Sequence, residues 1–528
     1  MATTVTGLSA RLRWVVTVSC LAVALVVAAM AALYTALPAI AADTGATQAQ
    51  LTWVIDGYTL ALACLVLPAG ALGDRYGRRL VLIAGLAIFA GASAVPLIVD
   101  EPIWLIAARA AAGVGAALVM PSTLSILTAG LPKEKRSVAV GIWAGTVGGG
   151  AVLGILGSGL LMSRWSWLSI MVAMAAAGVV LAIAAYTIPE SSDSSRPAFD
   201  PWGALSGAIA IGLVTVAALE APQRGWTDAV VLGAGLAGVV AGAVFVLVEL
   251  RVAHPLLDVR LFTGRRFGTG TASVTVQFGV SFGLFMVIVQ FFQLILGYGP
   301  LLSALAMAPM IVPMIALSIV APWLAERFGL RLPTAVGLGV VGAGVLSLGH
   351  LSADSTFVDV LWPLLIMSVG LGLAAAPATA AIIDGAPADK HGVAAAVNDA
   401  AREVGAALGI ALSGSILAAG YSDRIAPALP MVPEQAREPI SSSLAGALEV
   451  TERLGAPAKP LAEFAESAFM HGVQQATTVL GVITVVVAVL LGFWAPGREK
   501  AKPATGSDSA PAVAAVGAGE SRSKESPS

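Results

Sequence analysis

Five ionisable residues lie within stretches that are otherwise apolar, and they are the residues with chemistry to offer. Asp399, Arg402 and Glu403 follow one another at i, i+3 and i+4, which puts all three on one face of a helix. Arg402 neutralises one of the two acids, so one carboxylate is left to attract a cation or carry a proton. Counted from the nearer end of its segment, Asp399 sits about 10 Å and Glu403 about 16 Å deep. Asp56 and Arg109 each lie about one and a half turns into their own apolar segments. The expectation is that they pair or share a water-filled cavity. Asp56 would be the protonatable member, and Arg109, which stays charged, would tune it. Two plainer readings stand beside these. Asp56 between Trp53 and Tyr58 also fits an interfacial aromatic belt, and the Asp399 triad also fits a self-compensated structural cluster.

The elements that must position these residues are membrane helices. The chain has 528 residues, of which 58% are hydrophobic and only 11% charged, and its mean hydropathy is +0.89. A soluble protein carries about 25% charged residues, so this chain has to bury its apolar surface in lipid. A spanning helix needs about 20 apolar residues, and the sequence predicts fourteen such spans. They fall at roughly 14–40, 51–72, 79–99, 102–129, 137–161, 165–188, 203–222, 229–250, 268–296, 301–324, 332–352, 357–383, 392–419 and 472–495. The first is too long for a cleaved signal and reads as an uncleaved helix. One set of loops carries Arg75, Arg78, Arg79, Lys133, Lys135, Arg136, Arg260, Arg265, Arg266, Arg327 and Arg331. The alternate set carries Asp43, Asp100, Glu101, Asp354 and Asp359 against Arg164 and Arg224. This bias predicts a multi-pass protein of the cytoplasmic (inner) membrane with both termini in the cytoplasm.

Two internal repeats predict a duplicated bundle. Asp74-Arg75-Tyr76-Gly77 returns as Glu326-Arg327-Phe328-Gly329, and Val138 to Gly159 aligns without gaps on Val393 to Gly414. In the second repeat Ala144, Val147 and Gly148 stand where the later half has Asp399, Arg402 and Glu403. The predicted organisation is a cytoplasmic N-terminus 1–13, a six-helix bundle 14–188, a linker 189–267 with two extra helices, and a second six-helix bundle 268–496. Within the second bundle, 421–470 is an outer loop able to form a short helical flap; 497–528 reads as a disordered tail.

Between the second and third spans, Leu65 to Arg79 reads LVLPAGALGDRYGRR. Gly70, Gly73 and Gly77 suit close approach and a tight turn, and Asp74, Arg75, Arg78 and Arg79 suit a latch at the cytoplasmic face. This stretch resembles the G-x-L-x-D-R-x-G-R-R signature of the major facilitator superfamily. Fourteen helices with an inserted central pair and a long outer loop resemble that superfamily's drug:proton antiporter branch, typified by QacA and EmrB. Ala36-Leu37-Pro38-Ala39-Ile40, Trp53 to Tyr58, Arg109 to Pro121 and Gln293 to Tyr298 carry the likeness along the chain. The resemblance implies an all-α membrane fold of two six-helix bundles plus two inserted helices. It also implies alternating-access export driven by the proton gradient, with no cofactor. Two departures bear on the coupling: Ala29 stands where the branch commonly has an aspartate, and Ile155 follows Gly154 where it usually has a proline.

The expected cavity lining is Trp53, Tyr58, Gln290, Gln293 and Met314, with Gln277 and Phe285 also available. The expected partners are small amphipathic, cationic substrates, protons and the lipid bilayer, with the chain acting as a monomer. Nucleic acid is not expected, for want of a basic stripe with interleaved aromatics. The four histidines are scattered, and Cys20 and Cys64 sit in apolar spans as packing residues, so neither metal nor nucleophilic enzyme chemistry is expected. An exporter of an endogenous metabolite, antibiotic or lipid with weakened antiport is the alternative. A non-transporting sensor would need a folded soluble module, which no segment resembles.

Overall fold

The structure, a computed structural model, describes residues 9–46, 48–131, 133–190, 199–387 and 390–497. Residues 1–8, part of the linker and the tail from 498 lie outside the described residues. Among those described, fourteen helices are long and apolar enough to cross a membrane. They are α1 (Ala10–Ala32), α2 (Gln48–Tyr76), α3 (Arg78–Ala94), α4 (Pro102–Gly130), α5 (Lys133–Met162), α6 (Leu168–Ala185) and α7 (Pro201–Arg224). There follow α8 (Ala229–Arg251), α9 (Arg265–Gln290), α10 (Ile311–Phe328), α11 (Arg331–Ser347), α12 (Phe357–Asp384), α13 (His391–Ile425) and α14 (Lys459–Trp494). Helix is the form such segments must take, because lipid offers no partner for a free backbone N–H or C=O. Local signals set the ends. Asp200 and Asp228 cap α7 and α8, Thr356 and Asp359 form a capping box on α12, and Gly329 stops α10 with φ of +81°.

The duplication appears in the packing. In the first half α1 packs on α4 and α5, α2 on α4, and α3 on α4 and α6. Moved on by eight helices, the same list reads α9 on α12 and α13, α10 on α12, and α11 on α12 and α14, and each of these pairs is present. The halves meet along two equivalent seams, α2 with α13 and α5 with α10. Glycines on α5 make the second seam thin. A Cβ at Gly141 would stand 2.7 Å from the Ser318 carbonyl oxygen, one at Gly145 3.4 Å from Ile315, and one at Gly149 4.0 Å from Ile311. The helices therefore part with distance from the face that carries Asp74.

Two expectations need correcting. The first span ends early: after α1 a tight turn at Leu33–Thr35 leads into a separate short helix, Leu37–Thr44. The tenth span is present as expected, Leu301–Phe328, with a turn at Ala308–Met310 ahead of α10, where Pro309 has no N–H to give. The outer loop is mostly helical. The first residues of 421–470 complete α13, its last twelve open α14, and between them lie Glu434–Ser442 and Leu444–Leu454. Ile440, Leu444 and Ala447 sink into the core of the second half, and the Tyr421 hydroxyl donates to the Ile440 carbonyl at 2.8 Å. The flap is thus part of one half and moves with it.

The inserted pair is not a peripheral appendage. Helix α7 packs on α2 through Gly212 against Cys64 and Gly207 against Leu67, and on α13 through Ala218 against Ala407 and Ala411. It lies over the α2–α13 seam and shields it, while α8 packs chiefly on α7 and leaves most of its surface outward.

Candidate functional site

At one face the two halves are fastened through Asp74. Its carboxylate accepts from Arg78 at 2.6 and 3.1 Å, from the Gly392 N–H at 3.0 Å and from the Val393 N–H at 3.0 Å. Asp74 and Arg78 are both buried. An acid from the first half therefore caps the N-terminus of α13 in the second, where free N–H groups and the helix dipole favour an anion. Space is arranged for it: a Cβ at Gly392 would run into that carboxylate, and one at Gly70 into the Gly392 carbonyl. Gly77 turns the hairpin at φ +110°. Gly73 has ordinary room beside Ser122, so close approach is needed at Gly70 and not there. Arg79 fastens the hairpin within the first half, its backbone N–H and guanidinium meeting Glu190 at 3.0 and 3.5 Å and its Nη1 meeting the Ile188 carbonyl at 3.1 Å. The Arg75 guanidinium lies 5.4 Å from the Tyr76 ring centre.

Behind the latch, between the halves, lies a cavity of about 140 Å³. Its wall takes Val26 and Met30 from α1, Ala144 and Val147 from α5, Phe278, Phe282 and Phe285 from α9, Met314 from α10, and Arg402 and Glu403 from α13. Apolar and aromatic groups dominate, with few polar ones, as in most small-molecule sites. The charged triad is where the helical spacing put it. Arg402 donates to Asp399 at 3.3 Å, and its guanidinium is held between the rings of Trp143 and Phe278, at 4.7 and 4.6 Å. Trp143 belongs to the first half and Phe278 to the second, so this cation bridges the halves. Asn398 donates to Asp399 at 3.2 Å and accepts from Thr379 at 3.1 Å. Glu403 has neither: its Oε2 is buried and has no hydrogen-bond partner. Asp399 Oδ2 and Arg402 Nε are likewise buried without a partner; the triad sets two acids against one guanidinium, and of its two bare carboxylate oxygens only that of Glu403 belongs to a residue on the cavity wall. Opposite it, Ala144 and Val147, the repeat equivalents of Asp399 and Arg402, keep the first half's wall small and apolar.

Arg109 and Asp56 are not joined by an ion pair. Arg109 donates instead to the carbonyls of Val54 and Ala29, each at 3.1 Å, and lies 4.2 Å over the Tyr58 ring. Tyr58 is fully buried and donates to the Val26 carbonyl at 2.8 Å. Ala29, at the position where the drug:proton antiporter branch commonly has an aspartate, thus supplies its backbone oxygen to the same guanidinium. Asp56 stays half-buried nearby, and Tyr34 lies within the field of both charges.

Of the five expected lining residues only Met314 reaches the cavity. Tyr58 is covered by Arg109, Trp53 and Gln293 are exposed, and Gln290 donates to the Met286 carbonyl at 3.2 Å. These four fail because an apolar helix shows its polar and aromatic groups on every side, and composition does not say which side is inward. Phe278, Phe282 and Trp143 were missed for the same reason. Spacing would have found the phenylalanines: Phe278, Phe282 and Phe285 recur at helical intervals around Gln277.

The Major Facilitator Superfamily model matches residues 19–410. The chain belongs to that superfamily. It is 32% identical to the multidrug efflux pump LfrA of Mycolicibacterium smegmatis over 465 residues, 87% of this chain and 91% of that one. It is 31% identical to the tetracenomycin C resistance and export protein of Streptomyces glaucescens over 477 residues, 88% of each. The human organic anion transporter MFSD10 shares the fold with a TM-score of 0.62 at 13% identity, over 92% of this chain and 100% of that one. The protein is a multi-pass membrane transporter, not an enzyme.

Two outcomes follow from the geometry. Asp74→Ala removes the cap from α13 and leaves Arg78 alone, a loss of about 1.5–3 kcal/mol for bonds to a charged group. In a background with Cys20 and Cys64 replaced by serine, labelling of Ala396→Cys should then quicken roughly tenfold or more. Arg109→Lys cannot reach both carbonyls and the Tyr58 ring at once; its thermal unfolding midpoint in detergent should fall by several degrees with the fold kept.

Proposed function

We propose that this transporter is a proton-coupled exporter of amphipathic, cationic compounds, working by alternating access in the cytoplasmic membrane with both termini inside. The observation that carries the reading is the unpartnered Glu403 carboxylate in an aromatic and apolar cavity between the halves. Burying an anion costs free energy unless a cation or a proton meets it. A cation seated among Phe278, Phe282 and Phe285 and a proton on Glu403 both satisfy that charge, so each excludes the other. That exclusion is a negative coupling between two ligands, which is what exchange requires.

The cycle follows from the parts. With the Asp74 latch released, the cavity faces the cytoplasm and takes up substrate against ionised Glu403. Closure restores the latch, the seams part on the far side, and outside protons reach Asp56 and then the Glu403 site, displacing the cation. The described conformation, fastened at Asp74 and widening along α5–α10, corresponds to the state that faces outward. Efflux pumps among the relatives support the direction of transport, and the short basic loops at the Asp74 face support the assignment of that face to the cytoplasm.

A second reading, export with loose or absent proton coupling, is favoured by Ala29, which leaves α1 without an acid. Ethidium efflux from energised cells separates the two. Protonophore-sensitive efflux above a vector control supports coupled antiport, and efflux indifferent to protonophore supports the second reading. Glu403→Gln should reduce ethidium efflux roughly tenfold or more at unchanged expression, since it removes the buried anion that the cation and the proton meet in turn. Asp56→Asn should abolish the proton-coupled part alone; unchanged coupling would remove Asp56 from the mechanism.

A further inference from the structure

Two neighbouring residues of α13 on the cavity wall each keep a bare polar atom, and the atoms are of opposite kinds. Glu403 keeps Oε2, an acceptor, and Arg402 keeps Nε, a donor; both atoms are buried without a hydrogen-bond partner. Both residues are more than nine-tenths buried. They do not satisfy each other, because side chains at i and i+1 diverge around a helix. The guanidinium of Arg402 is also held in place. The rings of Trp143 and Phe278 lie against it at 4.7 and 4.6 Å, and its Nη1 is given to Asp399 at 3.3 Å. A further partner has to come edge-on, in the plane of the N–H fork. A buried donor left unmet costs the full desolvation of that group, so an acceptor brought to Nε has something to gain. Asp399 also keeps an oxygen bare, but it does not reach the wall.

We infer that the cavity makes a second polar contact with its substrate: the Arg402 Nε–H donates to a neutral carbonyl oxygen on a flat aromatic compound whose ammonium meets Glu403. This deepens the reading given above and rests on it for the ammonium. The substrate class narrows from amphipathic cations at large to aromatic cations that also carry a carbonyl. The charges select a neutral acceptor. Two acids stand against one guanidinium, so a monocation brings the site to neutrality, and a carboxylate on the same ligand would return a buried anion to it. A carbonyl takes the hydrogen bond without that cost.

The divergence of the two side chains demands a stiff ligand, with its ammonium and its carbonyl held apart. A fused aromatic core meets that need. It also suits the row of rings on α9, where Phe278 and Phe282 stack at 6.0 Å and Phe282 and Phe285 follow at 6.2 Å. Trp143, on the other side of Arg402, belongs to the first half. A carbonyl on Nε therefore acts on the one cation of the triad that joins the halves.

The test uses a matched pair, the aminomethyl derivatives of fluorenone and fluorene substituted at the same ring position. They share size, shape and ammonium and differ in one carbonyl. Their binding to purified protein in detergent is measured by titration calorimetry. The preference for the fluorenone over the fluorene should be roughly tenfold greater in the wild type than in Arg402→Met, which keeps the stem and loses the donor. Comparing that ratio between proteins cancels the unequal partition of the two compounds into detergent. It also cancels the gain both make when the guanidinium charge is removed. Arg402→Met leaves Asp399 without its ion pair, so a second measurement needs no variant. The infrared carbonyl stretch of the fluorenone bound to wild type should lie at its value in alcohol, and a stretch at the hydrocarbon value overturns the inference. An equal preference in wild type and Arg402→Met overturns it too. So does loss of the preference in Ser281→Ala, whose hydroxyl is another donor on the same wall. Glu403→Gln separates this from the reading beneath it. Both compounds should weaken alike there; if neither weakens while the fluorenone preference persists, the Glu403 cation site fails and the Arg402 contact stands.

Discussion

Everything in this structure answers to the cost of charge inside a membrane. An ionised side chain within a bilayer-spanning helix is worth several kcal/mol of penalty unless something meets it. Asp74 is met by a guanidinium and two backbone N–H groups, Arg109 by two carbonyls and a ring, and Arg402 by Asp399 and two rings. Asp399 and Glu403 each keep one carboxylate oxygen bare, and of the two only Glu403 lies on the cavity wall. The ion-paired and capped charges hold helices together, and Glu403, which lies on the cavity wall, is where a mobile cation has something to gain. Structure and function are divided between them on that single criterion.

The two-fold repetition explains how such charges become movable. Each half buries its own helices in the same pairings. The seams between them are narrower in chemistry, with glycine on one side and backbone on the other, and at one face they rely on the Asp74 cap. Interfaces of this kind have few stable arrangements and switch between them instead of deforming. The Arg402 sandwich deserves its place in the same picture, because Trp143 and Phe278 come from opposite halves. A ligand that perturbs the triad perturbs the contact between the bodies that must rock.

Much of this was legible in the sequence, and the limits have physical causes. Fourteen spans follow from apolar runs of sufficient length, and the latch from a polar, glycine-bearing hairpin between two of them. The one-faced triad follows from the helical period alone. What a linear pattern does not carry is the partner of a group when that partner is backbone. Arg109 was expected beside an acid and found two carbonyls, which every residue possesses and no spacing reveals. Rotation of a wholly apolar helix is likewise unwritten, and so Gln290, Gln293 and Trp53 were expected on the wrong side. Extra helices without a repeat counterpart read as an insertion, and only packing placed α7 across the α2–α13 seam.

The central claim is that one carboxylate, Glu403, serves substrate and proton in turn. Its most direct test is proton release on ligand addition, measured with purified protein in weakly buffered detergent solution using ethidium as the ligand. The account predicts that ethidium expels protons from the wild-type protein and that Glu403→Gln, still folded, releases none from this site. Equal proton release by wild type and Glu403→Gln would contradict it, since the exchange would then reside on some other group.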